Sequence, residues 1–160
     1  MGSGKTTLGS QLAKSLNFNF IDTDQFIEQK NGATVSQLFA ENGEEFFRTE
    51  EKALIEGLYG KSNLVVATGG GLPCYGNSMQ LMNRLGITVY LKTSEKTLFD
   101  RLIVEMEDRP LLEGMGEYEL KMFIHDKMKE REPIYNLAEI TLEEHEHSVS
   151  EIIRHLPQTN

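Results

Sequence analysis

A chain of 160 residues is long enough for one domain with its own core, and 39% hydrophobic with 26% charged residues is a globular composition. Sixteen basic against twenty-five acidic side chains leave a net charge of −9, which argues against general nucleic-acid binding and requires any anionic ligand to be held by a few cations in a cleft. The single cysteine, Cys74, excludes an intramolecular disulfide and fits a reducing compartment; no apolar run approaches membrane-spanning length and no leader is recognisable, so a cytoplasmic location is expected.

The chain opens on Gly2-Ser3-Gly4-Lys5-Thr6, and a helix is predicted from Thr6 to Leu16 with Leu8, Leu12 and Leu16 on one stripe. Phe18 to Asp22 reads as a short strand, with Asp22 and Asp24 at its carboxyl end. Thr34 is placed to cap a short helix carrying Val35, Leu38 and Phe39, which Gly43 breaks. A longer helix is expected to about Tyr59, with Phe47, Leu54 and Leu58 inward. Leu64 to Thr68 is a buried-type strand ending in Gly69-Gly70-Gly71. Met79 to Arg84 is helical in pattern, and Ile87 to Leu91 is the next strand. Ser94 caps a helix with Leu98, Phe99, Leu102 and Ile103 inward. Residues 105–117 are charged and broken by Pro110, Gly114 and Gly116, which predicts a mobile loop. A helix then runs to about Arg131, Ile140 and Leu142 mark a last strand, and a final helix carries Val149, Ile152, Ile153 and Leu156. Strands alternating with helices imply an α/β fold: a parallel sheet with helices on both faces, binding ligands at the strands' carboxyl ends.

Residues 2–6 are the back half of a phosphate-binding loop. Small residues let backbone N–H groups curl around an anion, Lys5 reaches the β- and γ-phosphates, and the Thr6 hydroxyl is a Mg²⁺ ligand. The helix that follows points its positive end at the same phosphates. Asp22 and Asp24, two apart on an extended segment, would face one cleft beside that phosphate. One would hold Mg²⁺ through water and the other accept a proton from a substrate hydroxyl. Alone, the pair fits an ordinary strand-end turn; the neighbouring phosphate loop favours chemistry.

Arg48 and Glu51 share a helix face. That spacing suits a carboxylate substrate bearing hydroxyls, although by itself it favours a surface ion pair. Three consecutive glycines after a strand suggest close approach of backbone amides to a ligand, against the plainer reading of a flexible turn. Arg109, held out of helical geometry by Pro110, and Arg131, which ends a helix before Glu132-Pro133, each read singly as solvated residues; the functional alternatives are closure over phosphates for Arg109 and a place facing the cleft for Arg131. His145 and His147 sit in an acidic stretch that reads as a solvated cluster. Cys74 has no activating neighbour in sequence and reads as inert.

Taken together, Gly2-Ser3-Gly4-Lys5-Thr6, Asp22-Thr23-Asp24, Phe46-Phe47-Arg48, Gly69-Gly70-Gly71, Arg109-Pro110-Leu111-Leu112 and Arg131-Glu132-Pro133-Ile134-Tyr135 resemble the shikimate kinase family over nearly the whole chain. The resemblance implies a three-layer P-loop fold of the nucleoside monophosphate kinase type, as one domain over 1–160 with a lid at about 105–117. It also implies transfer of the ATP γ-phosphoryl group to the 3-hydroxyl of shikimate, on the route to chorismate and aromatic amino acids, by a monomer using Mg²⁺. Its nucleotide set is Gly2, Ser3, Gly4, Lys5, Thr6, Thr7, Arg101 and Arg109. Thr6 and Asp22 serve Mg²⁺, and Lys5, Asp24 and Arg109 are catalytic. Asp24, Arg48, Glu51, Gly69, Gly70, Gly71 and Arg131 bind shikimate, with Phe39 and Phe47 lining the pocket.

The family sheet has the order 2-3-1-4-5, and its first strand and the phosphate loop's leading glycine have no counterpart from Met1 onward. Strands 64–68 and 87–91 should then face each other across roughly twice the usual spacing of about 4.8 Å. Orphaned ladder groups cost on the order of 1–3 kcal/mol each against a domain margin of about 5–15. The expectation is a native product starting roughly ten residues upstream, with Met1 internal, and an unstable or inactive short form. Rival readings are another small P-loop kinase, for gluconate or a nucleotide, and a non-catalytic nucleotide-binding protein.

Overall fold

The computed structural model describes residues 2–104 and 114–157. Helix α1 (Lys5–Leu16) is entered through Gly4 in the left-handed region (φ 85°, ψ 12°) and left through Asn17, also left-handed. Strand β1 (Asn19–Asp22) leads directly into α2 (Thr23–Asn31), a helix absent from the sequence reading. Asp22 is its cap, accepting from the backbone N–H groups of Asp24 and Gln25, and Gly32 ends it at φ 65°. Asp24 therefore sits in a first helical turn, not on an extended segment as expected.

Helix α3 (Val35–Glu56) begins with the expected Thr34 cap, a box closed by Gln37, and breaks at Gly43 (φ 81°, ψ 170°). Its buried residues are Leu38, Phe47, Glu51 and Ile55; Leu54 and Leu58 are half-buried. Strand β2 (Leu64–Ala67) runs through the glycines into a short 3₁₀ turn, Leu72–Cys74, and then α4 (Ser78–Leu85). Strand β3 (Val89–Leu91) precedes α5 (Glu95–Leu102), whose Ser94 hydroxyl accepts from Thr97 N–H as anticipated. Helix α6 (Glu117–Tyr135) continues past its expected end at Arg131. Pro133 lies in its last turn, and Asn136 N–H still reaches the Glu132 carbonyl at 2.9 Å. Strand β4 (Ile140–Leu142) and α7 (Val149–His155) complete the chain.

The strands form two parallel pairs. In one, Asn19 lies opposite Leu64 and Asp22 opposite Ala67; in the other, Val89 lies opposite Ile140 and Leu91 opposite Leu142. Among the described residues no ladder joins β2 to β3, as the missing-strand reading anticipates. What joins the halves is an apolar cluster. Leu8, Leu12 and Leu16 of α1 and Val149, Ile152 and Leu156 at α7 pack on Val65 from one pair and Val89, Leu91, Ile140 and Leu142 from the other. Two further clusters sit between α5 and α6 (Leu98, Leu102, Leu120, Ile124) and between α2 and α3 (Ile27, Leu38, Phe47).

Between the two strand pairs lies a cavity of about 500 Å³, bounded by Val65, Ala67, Val89 and Leu91 and floored by Leu8 and Leu12. Among the described residues no helix is long and apolar enough to cross a membrane.

Candidate active site

The site gathers where β1 and β2 end. Thr6 Oγ1 donates to Asp22 Oδ2 at 2.7 Å, while Asp22 Oδ1 accepts from Asp24 N–H at 3.1 Å and Gln25 N–H at 3.3 Å. One carboxylate thus ties the phosphate-type loop to the start of α2. The loop glycines Gly2 (φ 70°) and Gly4 (φ 85°) adopt conformations costly for any residue with a Cβ. Thr7 follows in the first turn of α1, and Ser3 and Lys5 line the cavity between the strand pairs. Arg101 reaches across from α5, its Nη1 donating to the Gly2 carbonyl at 2.7 Å.

Asp24 and Glu51 converge on Gly69. A Cβ at that glycine would sit 2.6 Å from Asp24 Oδ1 and 2.7 Å from Glu51 Oε1. Both oxygens are buried without a hydrogen-bond partner. Burial raises the Asp24 carboxyl above the usual range, opposed by the nearby Lys5 ammonium and reinforced by Asp22. Burial likewise pushes Glu51 up to about 6, against the hydrogen bond from Arg48.

Arg48 is held by two carboxylates. Its Nη1 donates to Glu51 Oε2 at 2.5 Å, and Nε and Nη2 reach Glu44 Oε1 at 3.1 and 3.0 Å. The guanidinium carbon lies 5.8 Å from the Phe39 ring and 5.7 Å from the Phe47 ring. The ion pair that spacing alone favoured is therefore real, but it is buried at Glu51 and not on the surface. Burial disfavours the charged guanidinium, and the Glu51 and Glu44 hydrogen bonds more than reverse that, leaving Arg48 above its ordinary value.

The three glycines also have structural partners. The Gly69 amide donates internally, to the buried Thr23 hydroxyl at 2.8 Å. The Gly70 carbonyl accepts from Tyr135 Oη at 2.6 Å. A Cβ at Gly71 would overlap the Arg48 guanidinium. Gly69 and Gly71 thus leave room for the Asp24, Glu51 and Arg48 side chains to approach. Thr23, Tyr135 and Glu44 had no assigned part in the sequence reading; Thr23 and Tyr135 lay inside recognised motifs, whereas nothing local marked Glu44.

Arg131 lines the cavity from α6, its Nε buried and unpartnered. Burial raises the Cys74 thiol, with Arg131 and Arg48 both pulling it down. Cys74 thus has cationic neighbours in space that the sequence concealed, yet its thiol stays disfavoured as a thiolate. The acidic stretch at the chain's end is tied in: Glu144 caps Ser94 N–H at 3.1 Å, and Glu143 approaches Lys92 at 3.6 Å. Arg109 and Pro110, with residues 105–113 of the lid expected at about 105–117, lie outside the described residues.

Among the described residues no three His, Cys, Asp or Glu side chains cluster to cage a metal. A hydroxyl and a carboxylate in contact, both hard oxygen donors, do fit Mg²⁺, which keeps several waters and is held largely by substrate phosphates.

A family model described as shikimate kinase matches residues 1–159. The shikimate kinase of Bacteroides fragilis is 44% identical over 138 residues, covering 86% of this chain and 77% of that one. That of Azobacteroides pseudotrichonymphae is 41% identical over 157 residues, covering 98% and 92%. Among solved structures, shikimate kinase from Bacteroides thetaiotaomicron superposes with a TM-score of 0.88 at 39% identity, covering 96% of this chain and 90% of that one. Shikimate kinase from Acinetobacter baumannii in complex with shikimate gives 0.86 at 34% identity, covering 96% and 87%.

Proposed function

We propose, for a chain that belongs to the shikimate kinase family, that it transfers the γ-phosphoryl group of ATP to the 3-hydroxyl of shikimate, giving ADP and shikimate 3-phosphate. The observation that carries the reading is the convergence of Asp24, Glu51 and Arg48 around Gly69 and Gly71, beside the loop that starts α1. A buried carboxylate with an unpartnered oxygen and a raised pKa is a good acceptor for a proton from an alcohol.

In this reading Asp24 holds the substrate hydroxyl and takes its proton as the oxygen attacks phosphorus. Arg48 and Arg131 bind the substrate carboxylate; Arg48 is already oriented by Glu51 and by two aromatic rings, and Arg131 carries an unpartnered Nε. Glu51 and the glycines close the pocket around the sugar-like ring. Backbone amides of Gly2–Thr7 and the Lys5 ammonium hold the phosphates, and Arg101 steadies the loop through Gly2. Thr6 and Asp22 would hold Mg²⁺, which when bound offsets phosphate charge. A cytoplasmic monomer belongs to the same reading.

A substrate panel tests it. With ATP and Mg²⁺, ADP release and ³¹P NMR should report a phosphate monoester from shikimate and none from gluconate or nucleoside monophosphates. Turnover of gluconate without turnover of shikimate would reverse the assignment.

A further inference from the structure

Arg131 and Tyr135 lie four residues apart at the end of α6, so their side chains share a face of the helix. Between them stands Pro133, which has no N–H to return to the Lys129 carbonyl. The helix ladder therefore lacks one bond at the turn that presents Arg131. Upstream, α6 is held on α5 through Leu120, Ile124 and Met128. Beyond Met128, Glu132 approaches Lys92 at 3.7 Å, a weak tether between two partly solvated groups. The firmer anchor is Tyr135. Its ring packs on Tyr90 with centroids 5.2 Å apart, and its hydroxyl donates to the Gly70 carbonyl at 2.6 Å.

Gly70 is the centre of the turn on which the remaining acid and guanidinium groups converge. Gly69 on one side faces Asp24 and Glu51, and Gly71 on the other faces the Arg48 guanidinium. Helices α3 and α6 both pack on the 3₁₀ turn that follows. The Tyr135–Gly70 bond thus joins the helix end bearing Arg131 to the turn that abuts Arg48. Arg131 has reason to be placed with care, because its buried Nε has no partner and pairs only if a ligand reaches it. The Tyr135 hydroxyl has a single proton, and it is committed to Gly70. A carboxylate brings no proton of its own, so Tyr135 does not bind an acid directly. Burial raises the phenol above its ordinary value, opposed by the Arg131 guanidinium, and it stays a neutral donor.

We propose that Tyr135 is a positioning residue for the acid clamp: its hydroxyl, through the Gly70 carbonyl, fixes where Arg131 stands relative to Arg48. This rests on the reading that the two arginines bind the substrate carboxylate. The carboxylate is held alike before and during phosphoryl transfer, so a misplaced Arg131 raises KM and leaves kcat unchanged.

The test is a double-mutant cycle of Tyr135→Phe with Arg131→Met, read by ADP release with shikimate and ATP. Tyr135→Phe keeps the ring on Tyr90 and removes only the hydroxyl. It should raise the shikimate KM about tenfold, with kcat and the ATP KM within about twofold of the parent. In the Arg131→Met background the same change should alter kcat/KM by less than about twofold, since the group it positions is gone. Amide exchange at Asn136–Ala138 should quicken at least about fivefold in Tyr135→Phe, while Leu120 and Ile124 stay unchanged. Should Tyr135→Phe fail to fold, the cycle is run within Pro133→Ala, which restores the ladder bond to Lys129. A KM within twofold of the parent would overturn the proposal and leave the catalytic reading standing. An equal Tyr135→Phe effect with and without the Arg131 guanidinium would overturn it too, as would a fall in kcat at constant KM or unchanged exchange at Asn136–Ala138. A parent chain that does not phosphorylate shikimate removes the catalytic reading, and the proposal with it.

Discussion

Gly69→Ala places one methyl group at the point where two carboxylates meet. The added Cβ would lie 2.6 Å from Asp24 Oδ1 and 2.7 Å from Glu51 Oε1. An ordinary carbon–oxygen contact is about 3.4 Å, so each oxygen must withdraw by roughly 0.7–0.8 Å. Glu51 is held by Arg48, whose guanidinium is itself bounded by Phe39 and Phe47, so Asp24 gives way more readily. Gly69 does not use a positive φ, so alanine adds no backbone strain and the perturbation is steric. Displacing a reacting group by about 1 Å costs on the order of 10²-fold, and overpacking a filled site costs about 1–3 kcal/mol. We therefore expect kcat/KM for shikimate to fall by roughly 30–100-fold, with a loss of stability of about 1–3 kcal/mol. A coupled ADP-release assay reads the first and urea unfolding the second. Gly86→Ala is the control, because a Cβ there meets nothing within 4 Å. A Gly69→Ala enzyme with kcat/KM within threefold of the parent would refute the convergence.

Glu51 gives a pH test. Its carboxyl is raised to about 6 by burial, so the folded state holds the proton more tightly than the unfolded chain. The stability carried by the neutral form is fully present below about pH 4.5 and is lost as pH rises through about 6, amounting to roughly 2 kcal/mol. Glu51→Gln is neutral throughout, so the parent should lose about 2 kcal/mol relative to it between about pH 4.5 and 7.5 in urea titrations; a pH-independent gap would contradict the burial argument. Glu44→Ala removes the exposed carboxylate competing for the Arg48 fork, worth about 0.3–0.5 kcal/mol, so the shikimate KM should fall about twofold with kcat unchanged. Thr6→Val removes the hydroxyl that donates to Asp22, and should raise the Mg²⁺ needed for half-maximal rate by roughly 10–100-fold, read by metal titration of the initial rate.

Much of this was legible in the sequence because it is local. Thr34 and Ser94 cap the helices their spacing announced, and Gly43 breaks the run it interrupts. Helix α2 was missed because its apolar stripe is thin, although Asp22 and Gly32 mark its two ends. That error had a consequence: Asp22 and Asp24 share the site through a capped helical turn, not through strand alternation. The glycines were legible as unusual, but their protein neighbours were not, since these come from α2, α3 and α6, up to 65 residues away at Tyr135. The cations around Cys74 were hidden for the same reason.

The split in the sheet bears on the site because the site straddles it. Asp22, Asp24, Arg48, Glu51 and the glycines belong to the β1–β2 half, which is knit by the Thr23–Gly69 bond and by the Asp22 cap. Arg131 belongs to α6, which packs on α5 beside the other half and reaches the glycines through Tyr135. Between them stands the loop at 2–6, held from one side by Asp22 through Thr6 and from the other by Arg101 through Gly2. Two hydrogen bonds to exposed or half-buried groups are a weak tether, on the order of 1 kcal/mol each. The substrate acid pocket is thus far better anchored than the phosphate loop. Disorder at the split would therefore weaken nucleotide binding before it disturbs the Asp24–Glu51–Arg48 cluster, because that cluster lies within one half whereas the loop is held from both.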